Sequence, residues 1–343
     1  MKLIQMTVFG ATGIDGWYNP ATCMTQADVD MVKSLKLDYF HMYHFSVWRV
    51  TEWNKGVFTF GPMDANVDMC IKNGLKVFDT MPELRYIPDW PTRPEVDAYA
   101  TIDEMVPVSR ELARRYKGKI LGWTIGGEIN LLQKSAVWLT DDVRNYYFRK
   151  LSEAIRTEDS SALIMLTAGG DSSINLYNWF KSIIDAGIDF DVMCPHPYFC
   201  TANYQACLGW DPTPATVIEW SFGGPVGSRV VDLPKPIWLT EIGFFPDAKE
   251  CTLNHTTDEE IAIMNEALTI LQRDYPQITG FFWFPWKTSF NATGGVRMWG
   301  LVNADRSINA VGQQWQTFTS NPTLWWKWPL LTWLRNLLSA RLG

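Results

Sequence analysis

Short apolar runs alternate along the chain with stretches whose apolar residues recur every three or four positions. The short runs are Ile4–Phe9, Tyr39–His44, Lys76–Thr80, Ile120–Ile125, Ala162–Leu166, Phe190–Cys194, Ile237–Thr240 and Thr279–Phe284. Their length and apolar character predict strands buried on both faces. Between them, Val143, Tyr146, Tyr147, Leu151 and Ile155 share a helical face, as do Ile261, Met264, Leu268 and Leu271. Ile102, Met105, Val106, Leu112 and Tyr116 predict a long helix before the fourth strand. Eight strands with helices between them predict an α/β fold, the (β/α)₈ TIM barrel, whose site is built at the carboxyl ends of the strands. A doubly wound sheet would carry a glycine-rich nucleotide turn after its first strand. GATGIDG, Gly10–Gly16, lacks the GxGxxG spacing and a clear acidic partner. No Pro-, Gly- or Ser-rich linker divides the chain, so residues 1–318 are expected to form one barrel and 319–343 a C-terminal extension packed on it.

Composition narrows the partners. The chain has 343 residues, enough for a large core, and 30 basic against 37 acidic side chains, a formal charge of −7. No basic run tracks a phosphate backbone, so nucleic acid is not an expected partner. Eighteen Trp, twelve Tyr and eighteen Phe suit core packing and the apolar faces of sugar rings equally. The cysteines, Cys23, Cys70, Cys194, Cys200, Cys207 and Cys251, show no close metal-binding pairs, and the four histidines are scattered, so neither a metal nor an organic cofactor is expected. They read mostly as buried thiols, with Cys200 to Cys207 a local disulfide in an oxidising compartment. MKLIQMTVFG has no long apolar run with a small-residue cleavage site; a cytoplasmic location is the default expectation and an extracellular one the alternative.

Two glutamates carry the candidate chemistry. GWTIGGEIN, Gly122–Asn130, is a short strand that ends in two glycines and presents Glu128; KPIWLTEIGFFPD, Lys235–Asp247, ends a strand with Glu241. A glutamate among apolar neighbours is costly unless paired or functional, and carboxylates after the fourth and seventh strands would face each other across a barrel mouth. Cleavage of a glycosidic bond needs such a pair, one protonated to release the leaving oxygen and one ionised to attack or to activate water. His196 and Tyr198 in MCPHPYF, and Trp283 and Trp286 in GFFWFPWK, converge on the same end and are candidates to bind substrate. Trp17, Trp48, Trp90, Trp210 and Trp299 are further candidate sugar platforms, for each of which packing is the plainer role.

These residues resemble those of the clan of retaining β-glycoside hydrolases with a (β/α)₈ barrel, which carry the acid/base and nucleophile glutamates after strands four and seven. FSVWRVTEWNKGVFTF, Phe45–Phe60, is similar to the second and third units of the β-galactosidase- and β-xylosidase-like branches in the spacing of Trp48, Glu52, Gly56 and Phe60, although Trp53 stands where proline is usual. The resemblance, over roughly Met6 to Phe318, implies Glu128 as acid/base and Glu241 as nucleophile. It also implies Tyr198 near the nucleophile and Trp283 or Trp286 flanking the cleaved sugar. Two departures stand out. The clan usually has asparagine before the acid/base, binding the sugar 2-hydroxyl, and this chain has Gly127. An arginine near the end of the second strand is missing, with His41, Met42 and His44 in its place. Asn130 and His44 are the candidates to fill these two roles.

A carbohydrate substrate without cofactor or metal is therefore expected, and a catalytically weak or inactive carbohydrate-binding barrel is the alternative that the departures motivate. A structural barrel whose tail recruits a partner is a third reading. The segment NPTLWWKWPLLTWLRNLLSARLG is too short and interrupted for a membrane span; packing on the barrel is expected, with membrane or oligomer contact as the alternative.

Overall fold

Eight parallel strands close on themselves in a computed structural model that describes residues 8–13, 25–42, 47–199, 213–244, 257–284, 289–290, 296–298, 301–303, 305 and 307–320. They are β1 (Val8–Gly13), β2 (Tyr39–Met42), β3 (Lys76–Thr80), β4 (Ile120–Ile125), β5 (Leu163–Gly169), β6 (Val192–His196), β7 (Ile237–Phe244) and β8 (Ile278–Trp283). Each pairs with the next; β1 pairs with β8 through Val8 and Gly280, and β6 meets β7 at Met193 and Ile237. A two-residue strand, Tyr198–Phe199, lies against β7. The helices Gln26–Ser34, Gly61–Lys72, Pro94–Arg115, Asp141–Glu158, Ser173–Asp185, Pro214–Phe222, Thr257–Asp274 and Ala310–Ser320 accompany the strands. Thr25, Thr140 and Ser172 cap three of them by accepting backbone N–H groups. Among the described residues, no helix is long and apolar enough to cross a membrane.

Strand alternation sorts the side chains into two cores. Outward residues such as Val77, Ile125, Ile164 and Leu239 join the helices in one large cluster. Tyr39, Phe78, Leu163, Met165, Val192, Cys194, Trp238 and Phe282 form a second cluster. This is the pattern of side chains that fill a barrel interior in layers. Trp238 takes up the space beside Gly280, where a Cβ would stand 2.6 Å from the Cβ of Trp238. Two residues further along the strands the same face turns polar: His41, Thr80, Thr124, Thr167, His196 and Thr240, all buried. His41 Nε2 lies 3.3 Å from Thr124 Oγ1, and Thr124 donates to Thr80 Oγ1 at 2.8 Å. Together these groups make a polar floor at the carboxyl ends of the strands.

Several sequence expectations shift. The first strand is described as Val8–Gly13, Ile4–Thr7 of the expected run lying outside the described residues, so GATG is strand, paired with Tyr39–Met42. The sixth and seventh strands run past Cys194 and Thr240, which puts His196 and Glu241 within strands rather than beyond them. The register supplies the reason for the first: barrel closure pairs His196 with Gly169. His44, Trp17, Trp210, Trp286, Trp299, Cys200, Cys207 and residues 321–343 lie outside the described residues.

Trp48 is structural rather than a sugar platform. It is fully buried, its indole N–H donates to Glu52 Oε2 at 2.7 Å, and its ring meets Trp90 edge-on at 5.6 Å. Glu52 Oε1 accepts the Gly56 N–H at 2.7 Å, and the Trp90 indole donates to the Glu52 carbonyl at 3.0 Å. The spacing of Trp48, Glu52 and Gly56 thus records one hydrogen-bonded knot around the buried Glu52 carboxylate. Glu52→Ala should leave buried donors without partners and cost about 1–3 kcal/mol. Thermal melting would register it as a fall in Tm, while an unchanged Tm would mean the knot holds nothing together.

Candidate active site

Glu128 is presented by a strained turn. β4 ends at Ile125, Gly126 takes the left-handed conformation (φ 77°), and Glu128 does so as well (φ 51°) at the start of the helix Ile129–Ser135. Among the described residues only Lys36 is another non-glycine with positive φ. Such a conformation costs about 1 kcal/mol or more and persists where surroundings impose it. Here Thr167 of β5 donates to the Gly126 carbonyl at 2.9 Å and accepts the Glu128 N–H at 3.2 Å. Arg85, from the loop after β3, donates to the Glu128 carbonyl at 2.9 Å. Gly169 leaves room for the carboxyl: a Cβ there would lie 3.1 Å from Glu128 Cδ.

Glu241 reaches the same place through an irregularity in β7. Leu239 pairs with Phe281 but Ile242 with Trp283, so three residues of β7 pass against two of β8. An extra residue of this kind re-aims side chains. Leu239 and Ile242 stay in the outer core, while Thr240 and Glu241 both contact the site.

His196 joins the two carboxyls. Its Nδ1 lies 3.1 Å from Glu128 Oε1 and 3.7 Å from Glu241 Oε2, and its Nε2 lies 2.9 Å from Thr240 Oγ1. The Tyr198 hydroxyl donates to Glu241 Oε2. The imidazole is buried whereas the Glu128 side chain is 21% exposed, so Glu128 is the member of the group that meets the mouth. One ligand atom from each of Glu128, His196 and Glu241 lies within 4.8 Å of the others, a set that could hold a metal ion in place of a shared proton.

Burial raises the Glu128 carboxyl, but the hydrogen bond and charge of His196 outweigh it and hold the group below its usual value. Glu241 goes the other way, pushed up to about 7 by burial, with the Glu128 charge adding and His196 and Tyr198 opposing. Burial would lower His196, yet the two carboxylates outweigh it and raise the imidazole above its usual value. Of the two carboxyls, Glu241 is therefore the one whose titration is pushed upward.

The structure brings Glu128, Glu241, His196 and Tyr198 together and engages Trp48, Asn130 and Trp283 elsewhere, while His44 and Trp286 lie outside the described residues. Asn130 spends both edges of its carboxamide on Gly169, accepting its N–H at 2.8 Å and donating to its carbonyl at 3.2 Å, so it ties β5 to the turn instead of replacing the missing asparagine. Trp283 is fully buried, with its ring 5.3 Å from Trp315 of the last helix, so it faces the helical layer and not the sugar site. Three residues escaped the sequence reading: Arg85, Thr167 and Glu83, a buried carboxyl beside Gly127. MPELR after the third strand held two of them, and its charges in a buried loop were the available signal. Beside Arg85 opens a cleft of about 810 Å³ lined by Arg49, Arg93, Glu95, Leu132 and Trp138 among others.

A closed eight-stranded barrel with a glutamate pair at its carboxyl end has the architecture of the (β/α)₈ glycoside hydrolases. No known family model and no curated protein sequence matches the chain. Among solved structures it is similar to a β-galactosidase from the Antarctic haloarchaeon Halorubrum lacusprofundi, at 15% identity and TM-score 0.66, covering 92% of this chain and 58% of that one. It is similar to a GH5_18 protein from Streptomyces cattleya in complex with Manβ1-4GlcNAc, at 16% identity and TM-score 0.68, over 94% and 81% of the two chains. A GH10 xylanase from Thermobacillus composti matches at 17% identity and TM-score 0.65, over 92% and 97%. Likeness at these identities establishes the fold, and the resemblance is to the clan read from the residues.

Proposed function

We propose that this protein is a retaining β-glycoside hydrolase that cleaves a β-linked glycoside or oligosaccharide by double displacement. The observation that carries the reading is the glutamate pair, with oxygens of Glu128 and Glu241 within 4.8 Å of each other. Carboxyls about 5 Å apart favour direct attack, whereas an intervening water needs roughly 6.5–9.5 Å. The solved relatives named for acting on or binding sugars support the substrate class.

In the first step Glu241 attacks the anomeric carbon as the bond to the leaving oxygen breaks, and Glu128 gives that oxygen a proton. In the second, Glu128 takes a proton from water as its oxygen attacks the glycosyl-enzyme, which releases the sugar and frees Glu241. Tyr198 fixes one oxygen of the nucleophile by donating to it. The first step requires the proton on Glu128, although His196 holds that carboxyl below its usual value. His196 reaches both carboxyls, so a substrate that parts it from Glu128 and leaves it with Glu241 removes that restraint.

Proton NMR of the first product from a panel of aryl β-glycosides tests the reading. The β anomer should form first and mutarotate later. An α anomer formed first overturns retention, and no release from any sugar leaves the carbohydrate-binding barrel as the better account.

A further inference from the structure

Gly127 is glycine for room. Unlike Gly126, it has no positive φ. A Cβ at this position would stand 2.7 Å from Cδ and 2.8 Å from Oε2 of Glu83, and closer still to Oε1. Glu83 has little space to retreat, since it is 3% exposed. The turn that carries it is held by Tyr147, whose hydroxyl donates to the Pro82 carbonyl at 2.9 Å. The groups that face the Glu83 carboxyl are Arg85 from its own loop, Glu128 and the Gly127 N–H from the turn after β4, Glu241 from β7, and Tyr147 from the helix Asp141–Glu158.

We infer that Glu83 is the third carboxyl of this site and a positioning residue for the proposed reaction, filling the side-chain space of position 127 and holding the Glu128 turn in register with Glu241. The inference rests on the glycosidase reading. Burial pushes Glu83 up to about 8; Glu241 and Glu128 add to this, while Arg85 and the Gly127 N–H oppose it. A carboxyl that keeps its proton at neutral pH offers one donor and one acceptor, the pattern of a carboxamide. It also adds no third negative charge beside the pair, so Glu241 can ionise. Position 127 and Glu83 would thus be two solutions to one problem: a polar edge beside the acid/base, delivered from a neighbouring loop because the turn itself has none.

The test is a mutant cycle in the full chain, read by melting and by kinetics. Gly127→Ala should lower both Tm and kcat/KM, because the added methyl displaces the Glu83 carboxyl. Adding Glu83→Ala should bring Tm back to that of Glu83→Ala alone, since the methyl then has space. Glu83→Ala should lose kcat by roughly a hundredfold, the scale of a lost active-site hydrogen bond. Glu83→Gln, which keeps the neutral edge, should lose less than about tenfold. The gap between the two variants then measures the polar edge, since both remove the carboxyl and only Glu83→Gln restores a donor and an acceptor. A Gly127→Ala protein as stable as the parent would overturn the shared space. Equal losses in Glu83→Ala and Glu83→Gln would reduce Glu83 to packing. The Tm cycle does not depend on turnover, so failure of the glycosidase reading, seen as no sugar released by the parent protein, stays distinct from failure of this one.

Discussion

Glu241→Ala is expected to abolish turnover, by about 10⁴-fold or more, the scale on which loss of a covalent nucleophile acts. Azide should restore product by occupying the space of the carboxylate and attacking directly. A single displacement on a β-glycoside inverts the centre, so the product should be the α-glycosyl azide. Glu128→Ala should behave differently. Substrates with poor leaving groups should lose nearly all activity, because nothing protonates the departing oxygen, while activated aryl glycosides should still glycosylate Glu241 quickly. Azide then enters in the second step and gives the β-glycosyl azide. The two products assign the roles independently of rate. A β azide from Glu241→Ala would reverse the assignment, and the upward push on Glu241, to about 7, gives that outcome a physical route.

His196→Gln should shift the whole pH profile of kcat/KM upward as well as lower its maximum, the latter by about 10²-fold. The sign follows from the two carboxyls. His196 lowers Glu241, so removing the imidazole raises the titration of the group that must be ionised. It also lowers Glu128, so both titrations rise when it is removed, and both limbs, whichever carboxyl sets each, move to higher pH. Initial rates across pH 4–10 with one activated substrate would measure both limbs. Limbs that stay in place while the maximum falls would mean that His196 acts by packing alone and carries no charge between the glutamates.

Much of the barrel was legible in the chain because its strands are buried on both faces and its helices on one. Lys76–Thr80 and Ile120–Ile125 read correctly to the residue, since each is a short run set off by a glycine turn, Gly74 before the first and Gly118 and Gly126 on either side of the second. Glu128 and Glu241 were visible for a related reason: a carboxylate in an apolar strand context has few explanations besides a partner or a function.

Tertiary structure decided how those glutamates meet and what surrounds them. No local pattern announces the extra residue in β7 that turns both Thr240 and Glu241 toward the site, because the pairing that creates it belongs to β8. Trp48, Trp283 and Asn130 carry the chemistry of sugar binding in their side chains, and only packing shows that Glu52, Trp315 and Gly169 have already engaged them. Gly127 looked like a missing asparagine. Its cause lies in Glu83, 44 positions earlier, since a side chain's space is set by whatever the fold brings beside it. Periodicity and burial preference are properties of neighbouring residues and survive in a linear reading; register, proton sharing and competition for volume arise between distant segments and exist only once the barrel has closed.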